Sequence, residues 1–236
     1  MVLSLILPCY NPQQGWERNI VSAYTTFCKQ AGTQAELIIV FDGISAGVTS
    51  EQTAWLQQQL PQLQQLSYPE NKGKGYAIRQ GVAKASGDII MYTDIDFPYT
   101  TESMQAIFTA LNTGNCDVAV GVKDDNYYSH LPAIRRFISR CLQFMIRTFL
   151  AMPVTDTQCG LKGFRSHVKP LFLATTINRY LFDLEFIRNC FAIKKYTVQP
   201  VPVTLNEQVH FRKMNYSILF PEMLNFVRLL FKKPHE

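Results

Sequence analysis

Residues 88–98 read Asp-Ile-Ile-Met-Tyr-Thr-Asp-Ile-Asp-Phe-Pro. Positions 89–93 are a short apolar run that stops abruptly at acid, the pattern of a buried strand. Asp94 and Asp96 follow on either side of Ile95. In extended chain, residues two apart point the same way, so both carboxylates face one side just past a strand's carboxyl end. Ligands of open α/β sheets bind at that end. Two acids there suit a hard divalent cation that can bridge phosphates. A plain polar turn has the same local signature, so the pair gains meaning only from its surroundings.

Those surroundings alternate. Strands are predicted over 2–7, 36–41 and 117–122, and helices over 16–30, 50–65, 76–85 and 101–112. Such alternation implies right-handed βαβ units and an α/β fold, a mainly parallel Rossmann-like sheet flanked by helices. Three successive strand ends are polar: Tyr10-Asn11, Asp42-Gly43 and Asp94-Ile95-Asp96. In a parallel sheet these ends share one edge and can converge on one ligand. Beyond Lys123 the pattern changes. It predicts a polar loop over 124–131, a helix over 133–151, a turn and strand over 156–164, and a helix over 181–193. A strand over 196–205 is demoted to an edge by Pro200 and Pro202. A polar link carrying Arg212 and Lys213 leads to a last helix over 221–232. No internal repeat or linker divides the chain, which implies one domain over 1–215 and a C-terminal amphipathic helix within 216–236.

The 236 residues are enough for one large core. A net charge of +5 suits an anionic ligand or a membrane surface and is too small to indicate nucleic acid. Six cysteines without a CxxC read as reduced thiols of a cytoplasmic protein, and four scattered histidines suggest no cluster. The opening residues lack a basic leader, so no signal peptide is expected. No uncharged apolar run reaches the ~18 residues of a spanning helix.

Six motifs stand in a telling order: Pro-Cys-Tyr-Asn-Pro at 8–12, Phe-Asp-Gly at 41–43, Asn-Lys-Gly-Lys-Gly at 71–75, Asp-Ile-Asp at 94–96, Asp-Thr-Gln-Cys-Gly at 156–160 and Phe-Asp-Leu-Glu at 182–185. Together they resemble family 2 glycosyltransferases of the GT-A fold, over about residues 2–205. The nearest branch moves a sugar from a nucleotide to dolichyl or another polyprenyl phosphate, on its dolichyl-phosphate glucosyltransferase-like side. The resemblance implies a UDP- or GDP-linked sugar donor, a lipid-phosphate acceptor, and Mg²⁺ or Mn²⁺. It implies that Pro8, Tyr10 and Asn11 line the base and ribose pocket, that Asp42 binds the base edge, and that Arg212 also serves the donor. Asp42 reads equally as a turn residue before Gly43. Lys74, in a Gly-flanked loop at a helix start, would contact phosphate or base, or stand solvated. Asp94 would touch ribose and sugar, and Asp96 would hold the metal.

Some relatives carry a polar side chain where this chain has Pro98, which implies a metal shell that is thinner here or completed by the nucleotide and waters. Lys123 occupies the place of an Arg common in relatives; with Arg135 and Arg136 it would hold an acceptor phosphate. A phosphate acceptor is already ionised. A sugar or lipid hydroxyl, the alternative acceptor, would require a base. Asp156 and Glu185 are the candidates, although Asp183 and Glu185 read equally as supports for the 156–160 turn.

On a helix over 136–150, Arg136, Arg140, Gln143 and Arg147 share a narrow arc opposite Phe137, Phe144 and their apolar neighbours. That suits an interfacial helix, or a core helix with a solvated basic stripe. With the apolar last helix around Phe231, it implies peripheral contact with the cytosolic face of a membrane, or a membrane partner protein.

Overall fold

The computed structural model describes residues 2–123, 133–150, 152–154, 156–206 and 216–232. The first half runs β1 (Leu3–Cys9), α1 (Trp16–Ala31), β2 (Ala35–Asp42), α2 (Ser50–Gln59), β3 (Gln64–Tyr68), α3 (Lys74–Lys84), β4 (Ile89–Tyr92), α4 (Thr101–Asn112) and β5 (Val118–Lys123). The second runs α5 (Ala133–Leu150), β6 (Lys162–Arg165), α6 (Lys169–Leu173), α7 (Phe182–Ile193), β7 (Val198–Val203) and α8 (Leu219–Phe231). Among the described residues, seven strands form one sheet in the order β3-β2-β1-β4-β6-β5-β7. Only β6 runs antiparallel, to both β4 and β5.

The strands alternate between two cores. Leu3, Leu5 and Leu7 of β1, with Leu37, Ile39 and Phe41 of β2, pack with residues of α1 and α4 such as Phe27 and Ile107. Ile6, Ile38 and Val40 point the other way, among residues of α3, α6, α7 and α8 such as Ile78, Phe172, Phe186 and Leu229. Both faces are therefore covered, as a parallel sheet requires. Helix α3 lies so close to the sheet that a β-carbon on Gly81 would overlap Ile6 Cγ2.

The expected helix over 50–65 is shorter than its glutamines suggest. A Thr49–Gln52 capping box starts α2, and the helix ends at Gln59. Leu60 is driven out of helical geometry (φ −128°, ψ 79°) by the proline after it. The chain then re-enters the sheet as β3, an edge strand parallel to β2. Helix α6, with Pro170 in its first turn, was not expected either. The Pro-bearing strand is β7, at the opposite edge. The expected loop over 124–131 lies outside the described residues.

The order β2-β1-β4 sets the three polar strand ends side by side on one edge. Two non-glycine residues there have left-handed backbone, Asn11 (φ 46°) and Phe97 (φ 47°). Such conformations persist only where neighbours hold them, and here hydrogen bonds do so.

Candidate functional site

Each loop on that edge is tied to the next. The Asn11 N–H donates to Ser45 Oγ at 3.0 Å, and Ser45 Oγ donates to Asn11 Oδ1 at 2.7 Å. This pair joins the ends of β1 and β2. Tyr10 stays 46% exposed beside it, and Pro8, within β1, is half-buried.

Asp42 is 3% exposed. Its Oδ1 accepts from Tyr68 Oη at 2.8 Å and the Lys72 N–H at 2.7 Å. Its Oδ2 accepts from Asn71 Nδ2 at 3.0 Å and the Gly73 N–H at 2.9 Å. A carboxylate offers about four lone-pair directions, and the protein occupies all four. The resemblance placed Asp42 on a base edge; here its carboxylate shapes the 71–73 loop. Gly43 is obligatory beside it: φ is 88°, and a β-carbon would stand 2.6 Å from the Asn71 nitrogen.

That loop delivers Lys74, whose ammonium pairs with Asp94 Oδ1. Burial pushes the Lys74 pKa down, but the carboxylates of Asp94 and Asp183 outweigh it and hold the pKa above the ordinary lysine value. Lys74 is thus a permanent cation. The Asp94–Phe97 turn is closed by the Phe97 N–H on Asp94 O at 3.0 Å. Asn19 Nδ2 donates to Asp96 O at 2.9 Å, and Asn206 Nδ2 donates to Phe97 O at 2.8 Å and Tyr99 O at 3.1 Å. Pro98 is buried, and its carbonyl accepts the Asn206 N–H at 2.9 Å. These contacts offset the strain at Phe97, and Asp96 is exposed.

The Asp-Thr-Gln-Cys-Gly segment closes over the same carboxylate. A β-carbon on Gly160 would overlap Asp94 Oδ2, and the Gly160 N–H donates to Tyr99 Oη at 2.8 Å. Beneath it, Lys162 is 0% exposed. Its ammonium meets Asp183 Oδ2 at 3.1 Å and donates to the Cys159 carbonyl. Burial raises the Asp183 pKa against the pull of Lys162, Lys74 and Tyr92 Oη. Asp183 therefore meets the turn through Lys162.

Glu185 does not reach that turn. Its carboxylate accepts from the Thr176 and Ile177 N–H groups, both at 2.8 Å, and from Lys232 Nζ at 2.7 Å. Asp156 and Lys123 do meet: Asp156 Oδ2 accepts the Lys123 N–H at 2.9 Å, and the Lys123 ammonium stands 4.0 Å from Oδ1. Arg136 is half-buried on α5. The Arg135 side chain and Arg212 lie outside the described residues. Sequence reasoning missed Tyr99, Asn19, Asn206 and Lys162. Of these only Lys162 carried a signal, a lone charge in the strand Leu161-Lys162-Gly163-Phe164.

On α5, the apolar residues are not simply core, and Phe137 and Phe144 lie one helical turn from the arginines rather than opposite them. Ile146 is buried, but Phe137 and Phe144 are 68% and 67% exposed, next to exposed Arg140 and Arg147. Phe220, Met223, Leu224, Val227 and Phe231 make a second exposed apolar stripe on α8. Among the described residues no helix is long and apolar enough to cross a membrane.

Comparison with known proteins agrees with this geometry. A family model described as glycosyl transferase family 2 matches residues 4–169. A dolichyl-phosphate beta-glucosyltransferase of Saccharomyces cerevisiae is 24% identical over 225 residues, 87% of this chain and 67% of that protein. One from Drosophila melanogaster is 27% identical over 200 residues, 78% of this chain and 61% of that protein. An undecaprenyl-phosphate 4-deoxy-4-formamido-L-arabinose transferase of Serratia proteamaculans is 25% identical over 217 residues, 92% of this chain and 63% of that protein. The chain thus spans 60% to 67% of the length of the first curated relatives it matches. Glucosyl-3-phosphoglycerate synthase from Mycobacterium tuberculosis, solved with Mn²⁺, UDP and phosphoglyceric acid, superposes with a TM-score of 0.66 at 16% identity, over 100% of this chain and 80% of that one. Mannosyl-3-phosphoglycerate synthase from Rubrobacter xylanophilus does so at 0.72 and 14%, over 98% and 72%. At such identities the likeness establishes the fold, which is the expected GT-A architecture.

Proposed function

The chain belongs to glycosyl transferase family 2, and from that premise we propose that it moves a sugar from a nucleoside-diphosphate sugar to a polyprenyl phosphate, with inversion. The observation that carries this reading is the meeting of Lys74, Asp94 and Gly160 at one strand end. A permanent cation there sits where charge develops as a diphosphate departs, and fixed charge in a partly dry site stabilises it. Tyr10 and Asn11 lie along the same edge, open to a base and ribose.

Among the described residues no group of three or more His, Cys, Asp or Glu side chains could hold a metal alone. One or two carboxylates completed by substrate phosphates and water are the usual Mg²⁺ arrangement. The exposed Asp96, with Asp94 beside it, fits that arrangement. A bound Mg²⁺ or Mn²⁺ would supply Lewis-acid stabilisation of the leaving diphosphate.

Two observations favour a phosphate acceptor over a hydroxyl. Asp156 is engaged by Lys123, and Glu185 by Lys232 and two backbone N–H groups, so neither is an open base. Lys123 and Arg136 are the described cations for an acceptor phosphate. The exposed Phe and Arg residues of α5 and the apolar stripe of α8 suit peripheral contact with the bilayer that holds such an acceptor. Screening UDP- and GDP-sugars with Mn²⁺ or Mg²⁺ for thermal stabilisation identifies the donor, because a ligand of the folded state raises the melting point. Transfer assays with dolichyl phosphate and with a soluble glycan follow. Product on the lipid phosphate is expected; product on the glycan alone overturns the reading.

A further inference from the structure

The far end of α8 reaches a buried carboxylate. Glu185 is 1% exposed on the first turn of α7. Besides the Thr176 and Ile177 N–H groups, it accepts from Thr176 Oγ1 at 3.1 Å. Lys232, which caps α8, donates to Glu185 Oε1 at 2.7 Å and to Thr176 Oγ1 at 2.9 Å. Its own carbonyl accepts from Arg188 Nη2 at 2.8 Å. A carboxylate this buried requires a charge partner, and Lys232 is that partner.

The anchored 176–178 segment is in turn the wall behind the Gly-Lys-Gly loop. The Tyr76 N–H donates to Asn178 O at 3.1 Å. Arg79 Nη1 donates to Ile177 O at 2.7 Å, and Arg79 Nη2 bonds Asn178 Oδ1. A β-carbon on Gly73 would stand 2.5 Å from Asn178 O, and one on Gly75 would stand 2.7 Å from Ile177 O. Lys74 lies between these two glycines and reaches Asp94.

We propose that Lys232 is a positioning residue for the donor site: through Glu185 it seats the 176–178 segment, and through that segment the loop that aims Lys74 at Asp94. The proposal rests on the reading of Lys74 and Asp94 as the donor diphosphate site. The coupling runs through contiguous hydrogen bonds and backbone contacts, each named above. It places the outer helix α8 and the donor loop in one mechanical unit.

Amide hydrogen exchange and steady-state kinetics on Lys232→Met and Lys232→Arg test it. Met keeps the stem and removes the charge. Arg keeps charge and donors on a different head group. In Lys232→Met, exchange across residues 73–78 is expected to quicken about tenfold. KM for the nucleotide sugar should rise about fivefold, the low end of ordinary site-to-site coupling, and kcat should fall with it, because Lys74 serves both the bound diphosphate and the charge that develops on it. Lys232→Arg should restore both, and Glu185→Gln should repeat the Met pattern. If exchange quickens only at 176–181 and along α8 while 73–78 keeps its protection, the pair merely holds the helix and the proposal falls. If 73–78 loosens while KM and kcat both stay constant, the positioning stands and the donor assignment of Lys74 is what fails.

Discussion

The Asp94 carboxylate occupies the space that a side chain at residue 160 would need. Gly160 is bare because Asp94 Oδ2 lies against it. The Gly160 N–H is held by Tyr99 Oη, so the turn cannot shift without breaking that bond. Two motifs far apart in the chain are thereby one surface, and the orientation of Asp94 toward Lys74 depends on the absence of an atom.

Gly160→Ala should therefore cut transfer about 100-fold, the cost of displacing a reacting group by roughly 1 Å. Residue 160 is not in left-handed backbone, and Asp94 can swing toward solvent, so the thermal midpoint should move little. Kinetics and melting on one preparation decide it; full activity in the variant would remove Asp94 from the site.

Asp96→Ala should nearly abolish metal-dependent nucleotide binding while the protein stays folded, because residue 96 is exposed. Calorimetric titration of UDP and GDP with Mn²⁺, then with excess chelator, checks it. Unchanged binding in the variant or the chelator sinks the metal assignment.

Asp42→Ala should destabilise the fold by about 2–3 kcal/mol, since it removes the acceptor of four part-buried donors, of Tyr68, Asn71, Lys72 and Gly73. Asp42→Asn should recover only part, because its amide turns N–H groups toward N–H groups. Urea midpoints measure both. Loss of nucleotide affinity with no loss of stability would assign Asp42 to the base edge and not to the loop.

Glu185 carries a pH signature. Burial alone would raise its pKa, but Lys232 and the Ile177 and Thr176 N–H groups hold it below the ordinary 4.5. The unfolded chain then binds the proton first as pH falls. The stability from this charge is complete above 4.5 and is lost as pH drops through the lower folded value. Asp183 is shifted the opposite way by burial, so the comparison must be with Glu185→Gln. The gap in thermal midpoint between wild type and that variant should narrow as pH falls from 5.5 to about 3. A constant gap would mean that the charge contributes nothing.

Liposomes test the outer face. With Phe137 and Phe144 exposed beside Arg140 and Arg147, the protein should co-sediment with anionic vesicles. Retention should weaken in salt, since exposed charges are screened beyond ~10 Å at 0.1 M. Arg140→Glu with Arg147→Glu should release it, each basic residue being worth about 1 kcal/mol near the surface. Retention untouched by the double variant would assign the contact to α8 alone.

The parallel sheet, the edge strand marked by Pro200 and Pro202, and the meeting of three polar strand ends were all readable in the sequence. Each rests on local rules: period-two alternation, the missing N–H of proline, and the shared direction of parallel strands. The rest of the sheet was less so. Strand β3 was hidden by glutamines that favour helix, although Pro61 marked the break. The sequence by itself determined which residue types gather at the carboxyl edge, because periodicity and strand polarity act within a few residues. Only the tertiary structure decided their partners. It turned Asp42 to the 71–73 loop, set Lys74 on Asp94, put Lys162 beneath the 156–160 turn and gave Glu185 to Lys232. Those pairings join residues far apart in the chain, and burial makes each charge take whichever partner the packed elements bring within reach.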